Sequence, residues 1–362
     1  MKLVIATPLY PPEIGGPATY SKLLEGGLPE KGIQVSLAKF SHVRWLPKGL
    51  RHALYYVIVL WHALWADAVL ALDPVSVGYP AMLAARTLKK PFFVKIVGDY
   101  AWEQGTQRFK INTTLDEFVQ IKTKDLPKEV RGLRNLQKKV ANSARAVIVP
   151  SQYLKQVVTT WGIPPERIHV IYNTVSLGMV GNIPKEVSAI SRPLVVSVGR
   201  MVPWKEFDGV IDAVKQTVAS LVIVGSGSLF GRVAALAKQE LGARAYLTGS
   251  LSHADTLAVI KYADVFVLNS SYEGFSHTLI EALLLGRAVI VTDAGGNKEL
   301  VDGRNGLIIP VGATDVLARE LNRVLSDQAL RSSLESSAGQ LSERFSRDIM
   351  LKETTQLLNN HV

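Results

Sequence analysis

Apolar residues in this chain gather in short unbroken runs, and between the runs lie longer segments in which they recur at helical spacing. In the first half the runs are Leu3–Ala6, Val35–Ala38, Ala68–Ala71, Phe92–Val97, Ala146–Val149 and His169–Tyr172. Helical patterns fall between them at Ala18–Leu28, Gly78–Leu88 and Gly132–Ser143. The second half repeats the scheme with Leu194–Val198, Leu221–Val224, Ala245–Thr248, Val265–Leu268, Ala288–Val291 and Leu307–Ile309. A strand buried on both faces reads as a continuous apolar run, so this alternation predicts parallel sheets covered by helices. The expected fold class is α/β, with two Rossmann-like doubly wound domains over residues 1–172 and 194–346. Residues 173–193 carry Gly and Pro without periodicity and are the expected linker. Two such sheets facing across a cleft would bind ligands beyond the carboxyl ends of their strands.

One helical segment is unusually apolar. Leu50–Ala66 (LRHALYYVIVLWHALWA) has Trp61 and Trp65 near one end and Arg44, Lys48 and Arg51 near the other. It is shorter than the roughly 20 apolar residues a membrane span needs. It fits either a helix packed on the first sheet or one resting in a membrane interface.

Composition narrows the classes. With 362 residues and a hydrophobic fraction of 48%, the chain can bury large cores and is not a disordered sequence. There is no cysteine, which removes disulfides, thiolate nucleophiles and thiolate metal sites and suits a reducing cytoplasm. The apolar start before Thr7 and Pro8 is too short for a signal-peptide core and reads as a first strand. Residues 1–172 hold 23 Lys and Arg against 12 Asp and Glu, whereas the remainder is close to neutral. A basic first half points to an anionic partner there: a phosphorylated substrate, nucleic acid, or an anionic membrane surface contacted peripherally from the cytoplasm. No basic ribbon interleaved with aromatics supports nucleic acid, which ranks last.

The segment richest in chemistry is Asn269–Gly286, NSSYEGFSHTLIEALLLG. A strand ends at Leu268 and a helix is expected to start near Ser276. Such a start favours phosphate oxygens through its unpaired N–H groups and dipole. Gly274 lets the backbone pass close to a ligand. Phe275, Ser276 and His277 would surround the helix start, His277 either flanking phosphates or serving as an ordinary polar residue. Glu273 in the loop and Glu281 in the second helical turn can both address one cleft, where carboxylates accept hydrogen bonds from vicinal hydroxyls. A second segment, VGRMVPWKEFD at Val198–Asp208, sets Arg200 and Lys205 directly after a strand, placed to neutralise a diphosphate.

Other segments are weaker. Gly225 and Gly227 start a dinucleotide-like fingerprint, but Phe230 occupies the third glycine's slot. Gly15 and Gly16 follow the first strand and could close backbone amides over an anion, or simply form a turn. Asp99 at the end of the fourth strand could act on a hydroxyl or cap a helix. There is no D-x-D, H-E-x-x-H or G-x-S-x-G, so no metal is expected from these motifs.

Together these segments resemble the family-4 retaining glycosyltransferases of the GT-B fold. The resemblance runs through the glycine pair after strand one, G-R-x-x-x-x-K at Gly199–Lys205, and V-G-x-G at Val224–Gly227. It continues through the E-x7-E pair Glu273 and Glu281 to A-G-G-N-x-E-L-V at Ala294–Val301. It implies that Arg200 and Lys205 bind a nucleotide-sugar diphosphate, helped by backbone amides at Gly16 and around Phe275–His277. Glu281 would then hold the ribose and Glu273 the transferred sugar. The family needs no metal or cofactor and retains anomeric configuration, by front-side attack. The final helix, 347–362, would pack back onto the first domain. Many members have histidine where this chain reads G-D-Y at Gly98–Tyr100, so Asp99 stands in its place. Residues 101–139 match no general family pattern and are expected to select the acceptor, a glycan or lipid-linked hydroxyl, with Tyr100, Trp102, Glu103 and Arg108 as candidates. A nucleotide-sugar epimerase shares this architecture, and a non-enzymatic basic binding protein is the remaining alternative.

Overall fold

The structure is a computed structural model that describes every residue except Ile14, Ser176, residues 340–344 and Val362, the last of which closes the expected final helix. The chain divides into two compact units, one formed by Met1–Asn173 with Arg347–Val362 and the other by Thr174–Ser346.

In the first unit strands β1 (Lys2–Thr7), β2 (Gln34–Lys39), β3 (Ala68–Ala71), β4 (Phe92–Lys95), β5 (Ala146–Val149) and β6 (Ile168–Val170) form one sheet. Its order is β2-β1-β3-β4-β5-β6, with every pair parallel. Helices α1 (Gly16–Gly27), α2 (Lys48–Trp65), α3 (Gly78–Thr87), α4 (Tyr100–Arg108), α5 (Leu115–Gln120), α6 (Lys128–Ser143) and α7 (Gln152–Thr159) connect them.

The second unit opens with a short helix α8 (Lys185–Ser188) and carries β7 (Leu194–Val198), β8 (Ser220–Val224), β9 (Ala245–Gly249), β10 (Val265–Leu268), β11 (Ala288–Thr292) and β12 (Leu307–Ile309). These are also parallel, in the order β12-β11-β10-β7-β8-β9. Its further helices are α9 (Phe207–Lys215), α10 (Phe230–Leu241), α11 (His253–Tyr262), α12 (His277–Leu284), α13 (Thr314–Ser326) and α14 (Gln328–Ala338). The chain then returns to the first unit as α15 (Arg347–His361), whose Met350, Leu351 and Leu358 join the core of β1, β3 and α1. Both units are therefore Rossmann-like doubly wound sheets.

Central strands are apolar because both faces are covered: all of β3, β5, β7, β10 and β11 are buried. Three expectations shift. β4 ends at Lys95 rather than Val97, whose side chain is exposed. Helix α6 begins at Lys128, before the expected Gly132, because its inward face runs Val130, Arg134, Gln137 and Ala141. Two polar residues at core-facing positions hide the helical period from an apolar pattern. The aperiodic 173–193 stretch is not a free linker. It includes α8, with Val187 fully buried, and Gly181 N–H donates to the Ala254 carbonyl at 2.8 Å.

Lys95 breaks the apolar rule of the first sheet. It lies on the same face of β4 as core residue Phe93, its amine 3.8 Å from the centre of the Tyr20 ring and without a hydrogen-bond partner. Burial holds its pKa well below the ordinary lysine value. Folding thus penalises the charged amine at any pH below the unfolded lysine pKa, and that penalty disappears as pH rises through it. Lys95→Met should raise stability to urea near neutral pH by about 1–3 kcal/mol. The gain should shrink toward pH 10, close to the reference lysine pKa of about 10.4; a gain independent of pH would mean the amine is not the cause.

Candidate active site

The second sheet reverses its winding between β7 and β10, which are direct neighbours although two strands and three helices lie between them in sequence. Loops leaving two such strands diverge and leave a crevice at their carboxyl ends. The two segments richest in chemistry are the loops that leave these strands. Residues 199–206 follow β7 and residues 269–276 follow β10.

Backbone and side-chain bonds fasten one loop to the other. Ser271 N–H donates to the Trp204 carbonyl at 2.8 Å, and Asn269 Nδ2 donates to the Glu206 carbonyl at 3.1 Å. Between them Lys205 Nζ pairs with Glu273 Oε1. The same carboxylate oxygen accepts from Ser270 Oγ at 2.7 Å, and Gly296 N–H donates to the Glu273 carbonyl at 2.9 Å. Glu273 is 8% exposed, so a carboxylate that would be costly alone is held by a cation and a hydroxyl. Arg200 is exposed and forms no ion pair among the described residues.

Helix α12 starts beside Glu273. Ser276 is its N-cap, with Oγ accepting from Leu279 N–H at 3.4 Å. Gly274 is buried, and the Phe275 ring packs on Phe345 with centroids 5.7 Å apart, so what Phe275 presents at the helix start is its backbone. His277 is the first helical residue and is half-buried. One turn on, Glu281 is 6% exposed, and its Oε1 lies 2.8 Å from His253 Nε2 at the start of α11. The hydrogen bond to Glu281 raises the His253 pKa above its ordinary value, and the carboxylate's charge adds to the effect.

Sequence reasoning missed His253 because α11 is joined to α12 only by folding. The usable signal was its place: second residue of S-H-A-D, directly behind a serine cap that follows a strand. Ser270 was also missed, hidden in a polar run. The V-G-x-G glycines prove to be architectural. Gly225 has φ +135°, and a Cβ there would sit 2.0 Å from the Gly199 carbonyl oxygen, so only glycine lets the β8 loop cross the β7 loop.

In the first unit, Gly15 precedes α1 with φ +149°, and Pro17 occupies the helix's first turn. Asp99 is the N-cap of α4. Its Oδ1 accepts from Trp102 N–H at 3.0 Å and from Gln137 Nε2 at 2.9 Å, while Gln137 Oε1 accepts from Ala101 N–H at 3.0 Å. Asp99 is 1% exposed, and burial raises its pKa against the lowering effect of these bonds. Of its two sequence readings the cap is therefore the one its contacts fill, though Oδ2 has no partner.

The acceptor candidates do not share one face. Tyr100 and Glu103 are half-buried on α4, and Arg108 is exposed at its end. Trp102 is 2% exposed, and its indole N–H donates to the Thr113 carbonyl at 2.9 Å. The basic stretch behind it is partly structural too. Arg134 is buried over the Phe118 ring and caps the end of α5 through the Phe118 and Ile121 carbonyls.

Comparison with known proteins gives two adjoining matches. The profile of Glycosyltransferase Family 4 fits residues 14–178, and that of Glycosyl transferases group 1 fits residues 182–340. A curated relative from Campylobacter jejuni, an N-acetylgalactosamine-N,N'-diacetylbacillosaminyl-diphospho-undecaprenol 4-alpha-N-acetylgalactosaminyltransferase, is 28% identical over 57% of this chain and 57% of its own length. The lipopolysaccharide core biosynthesis glycosyltransferase LpsE of Rhizobium meliloti is 31% identical over 46% of this chain and 49% of its own. The chain thus matches only about half of these relatives. Among solved structures, Anabaena HepE in complex with UDP and glucose superposes with a TM-score of 0.77 at 20% identity, covering 99% of this chain and 100% of that one. Sucrose-phosphate synthase from Thermosynechococcus elongatus gives 0.79 at 18% identity, over 99% and 98%.

The Asp99 cap can be tested apart from any activity. Asp99→Ala should cost about 1–3 kcal/mol in urea unfolding, having lost the cap and stranded Gln137. Asp99→Asn keeps an acceptor for Trp102 N–H and should cost less than half of that. Equal losses would show that the carboxylate's charge, rather than its acceptor geometry, supports α4.

Proposed function

Because this chain belongs to the family-4 glycosyltransferases of the GT-B fold, we propose that it moves a hexose-type sugar from a nucleoside diphosphate to an acceptor hydroxyl. The observation that carries the proposal is the convergence at the β7–β10 switch point of Arg200, Lys205, Glu273 and the start of α12, with Glu281 one helical turn away. That set offers cations and a helix dipole for a diphosphate and two carboxylates for hydroxyls.

In this assignment Arg200, Lys205 and the α12 start hold the diphosphate. Glu281, oriented by His253, accepts from the ribose hydroxyls, and Glu273 accepts from the sugar beside the reacting carbon. The bond from the anomeric carbon to the phosphate oxygen breaks, and the electron pair leaves with the diphosphate. The acceptor oxygen bonds that carbon on the same face, its proton passes to the leaving phosphate, and configuration is retained. Charge on the leaving group is met by the fixed cations, so the step is proposed to run without a metal. The acceptor is proposed to be a cell-envelope or lipid-linked glycan. The names of the Campylobacter and Rhizobium relatives support that class.

A panel of UDP-, GDP-, ADP- and dTDP-sugars, scored by the rise in melting temperature, identifies the donor. UDP-sugars come first because the Anabaena neighbour holds UDP. Arg200→Ala and Glu281→Ala should each weaken nucleotide binding roughly ten- to hundredfold. Glu273→Ala should instead cut turnover by roughly a hundredfold with a smaller change in affinity. Nucleotide affinity unchanged in the Arg200 variant would remove this site from consideration.

The His253–Glu281 contact gives the site a pH dependence. The raised His253 pKa means that the imidazolium–carboxylate pair holds below that value and becomes a hydrogen bond from a neutral imidazole as pH rises through it. Titration calorimetry should therefore show nucleotide affinity falling as pH rises through the raised His253 pKa. His253→Asn should bind more weakly overall and lose that slope; a slope retained in the variant would assign it to another group.

A further inference from the structure

Helix α2 has two apolar faces and needs only one of them for the fold. Tyr55, Val59 and Ala63 are buried on the inner side, and the Tyr55 hydroxyl donates to the Ala38 carbonyl at 2.7 Å. On the outer side Leu50, Leu54, Val57, Trp61 and Leu64 succeed one another at alternating spacings of four and three, one continuous stripe on a helix. Their exposures are 57%, 41%, 53%, 75% and 61%, and Trp45 just ahead of the helix is 80% exposed. Single exposed apolar residues are ordinary on protein surfaces, but a contiguous stripe marks a surface that meets something apolar.

The rim of this stripe is basic. Lys48 and Arg44 are exposed at its amino end, with Arg51 half-buried beside them. At the other end Lys2 Nζ lies 5.1 Å above the Trp65 ring. Along the flank, Tyr56 hydrogen-bonds Thr87 at 3.1 Å, which brings the end of α3 with exposed Arg86 and Lys89 alongside. Glu13 pairs with Arg44 and Asp67 accepts from the Lys2 backbone N–H at 2.7 Å, so the surplus positive charge of the rim rests on Lys48, Arg51, Arg86 and Lys89.

We propose that α2 docks this unit on an anionic phospholipid bilayer, lying parallel to the surface with the Leu50–Leu64 stripe among the acyl-chain ends and the cations among the headgroups. Apolar side chains, interfacial tryptophans and a basic rim each match one layer of such a surface. No described helix is long and apolar enough to cross a membrane, so the helix rests in the interface. A second copy of the chain fits the stripe less well, because a twofold pairing would press two basic rims together.

The proposal stands apart from the donor assignment, and vesicles free of sugar nucleotide and acceptor read it alone. Flotation of the full chain with phosphatidylcholine vesicles, with and without phosphatidylglycerol, should show binding that needs the anionic lipid and weakens with salt. Leu54→Gln with Trp61→Gln, and separately Lys48→Glu with Arg51→Glu, should each weaken it by roughly tenfold or more. Melting temperatures should stay near the native value; if the first pair melts early, Trp61→Gln alone carries the test. Absence of binding at low salt, or binding unaffected by these changes, would overturn the proposal. So would a solution dimer that the Leu54/Trp61 variant dissociates, which would assign the stripe to a second copy.

Discussion

The second unit's chemistry depends on one constraint, the stitching of the loop after β7 to the loop after β10. Adjacent parallel strands that wind in opposite directions would otherwise let those loops part. The Ser271–Trp204 and Asn269–Glu206 bonds hold them together on either side of Lys205. The ion pair to Glu273 can form only because the backbones on both sides are already fixed. Gly296 then holds the Glu273 carbonyl from the far side, and Gly225 allows the β8 loop to cross beneath. Lys205 and Glu273 are thus placed by hydrogen bonds to the backbone from three strand ends, which is rigid support for that pair.

The first unit solves a different problem with polar groups inside it. Arg134 and Gln137 face inward from α6, and they tie the end of α5 and the start of α4 to one helix. Asp99 receives one bond from Gln137 and one from Trp102 N–H, and its buried carboxylate is a capping element before it is anything else. Buried polar groups that are satisfied in this way fix a single packing of α4, α5 and α6.

Fold class was legible because central strands of a doubly wound sheet must be continuously apolar, and most of the runs lie within a residue of the observed strands. Glu273, Glu281, Arg200 and Lys205 were legible because each sits directly after a strand or on the helix start that follows one. What could not be read was pairing between elements far apart in sequence. Lys205 with Glu273 and His253 with Glu281 are consequences of strand order rather than of local pattern. The burial of Trp102 was hidden for a related reason: its N–H is met by the Thr113 carbonyl, eleven residues away in a polar stretch. The start of α6 was missed where arginine and glutamine occupy core positions.

The Lys205–Glu273 pair has a consequence for discrimination. Each group satisfies the other, and both are mostly shielded from water. On the assignment made above, a bare anion that drew Lys205 away would strand a buried carboxylate, and a neutral sugar that engaged Glu273 would strand a buried ammonium. Either loss costs on the order of 1–3 kcal/mol or more. A ligand that carries phosphate and hydroxyls a few bonds apart replaces both halves of the pair together. The two groups are in this sense each other's counter-ions, and they penalise partial mimics of the proposed donor.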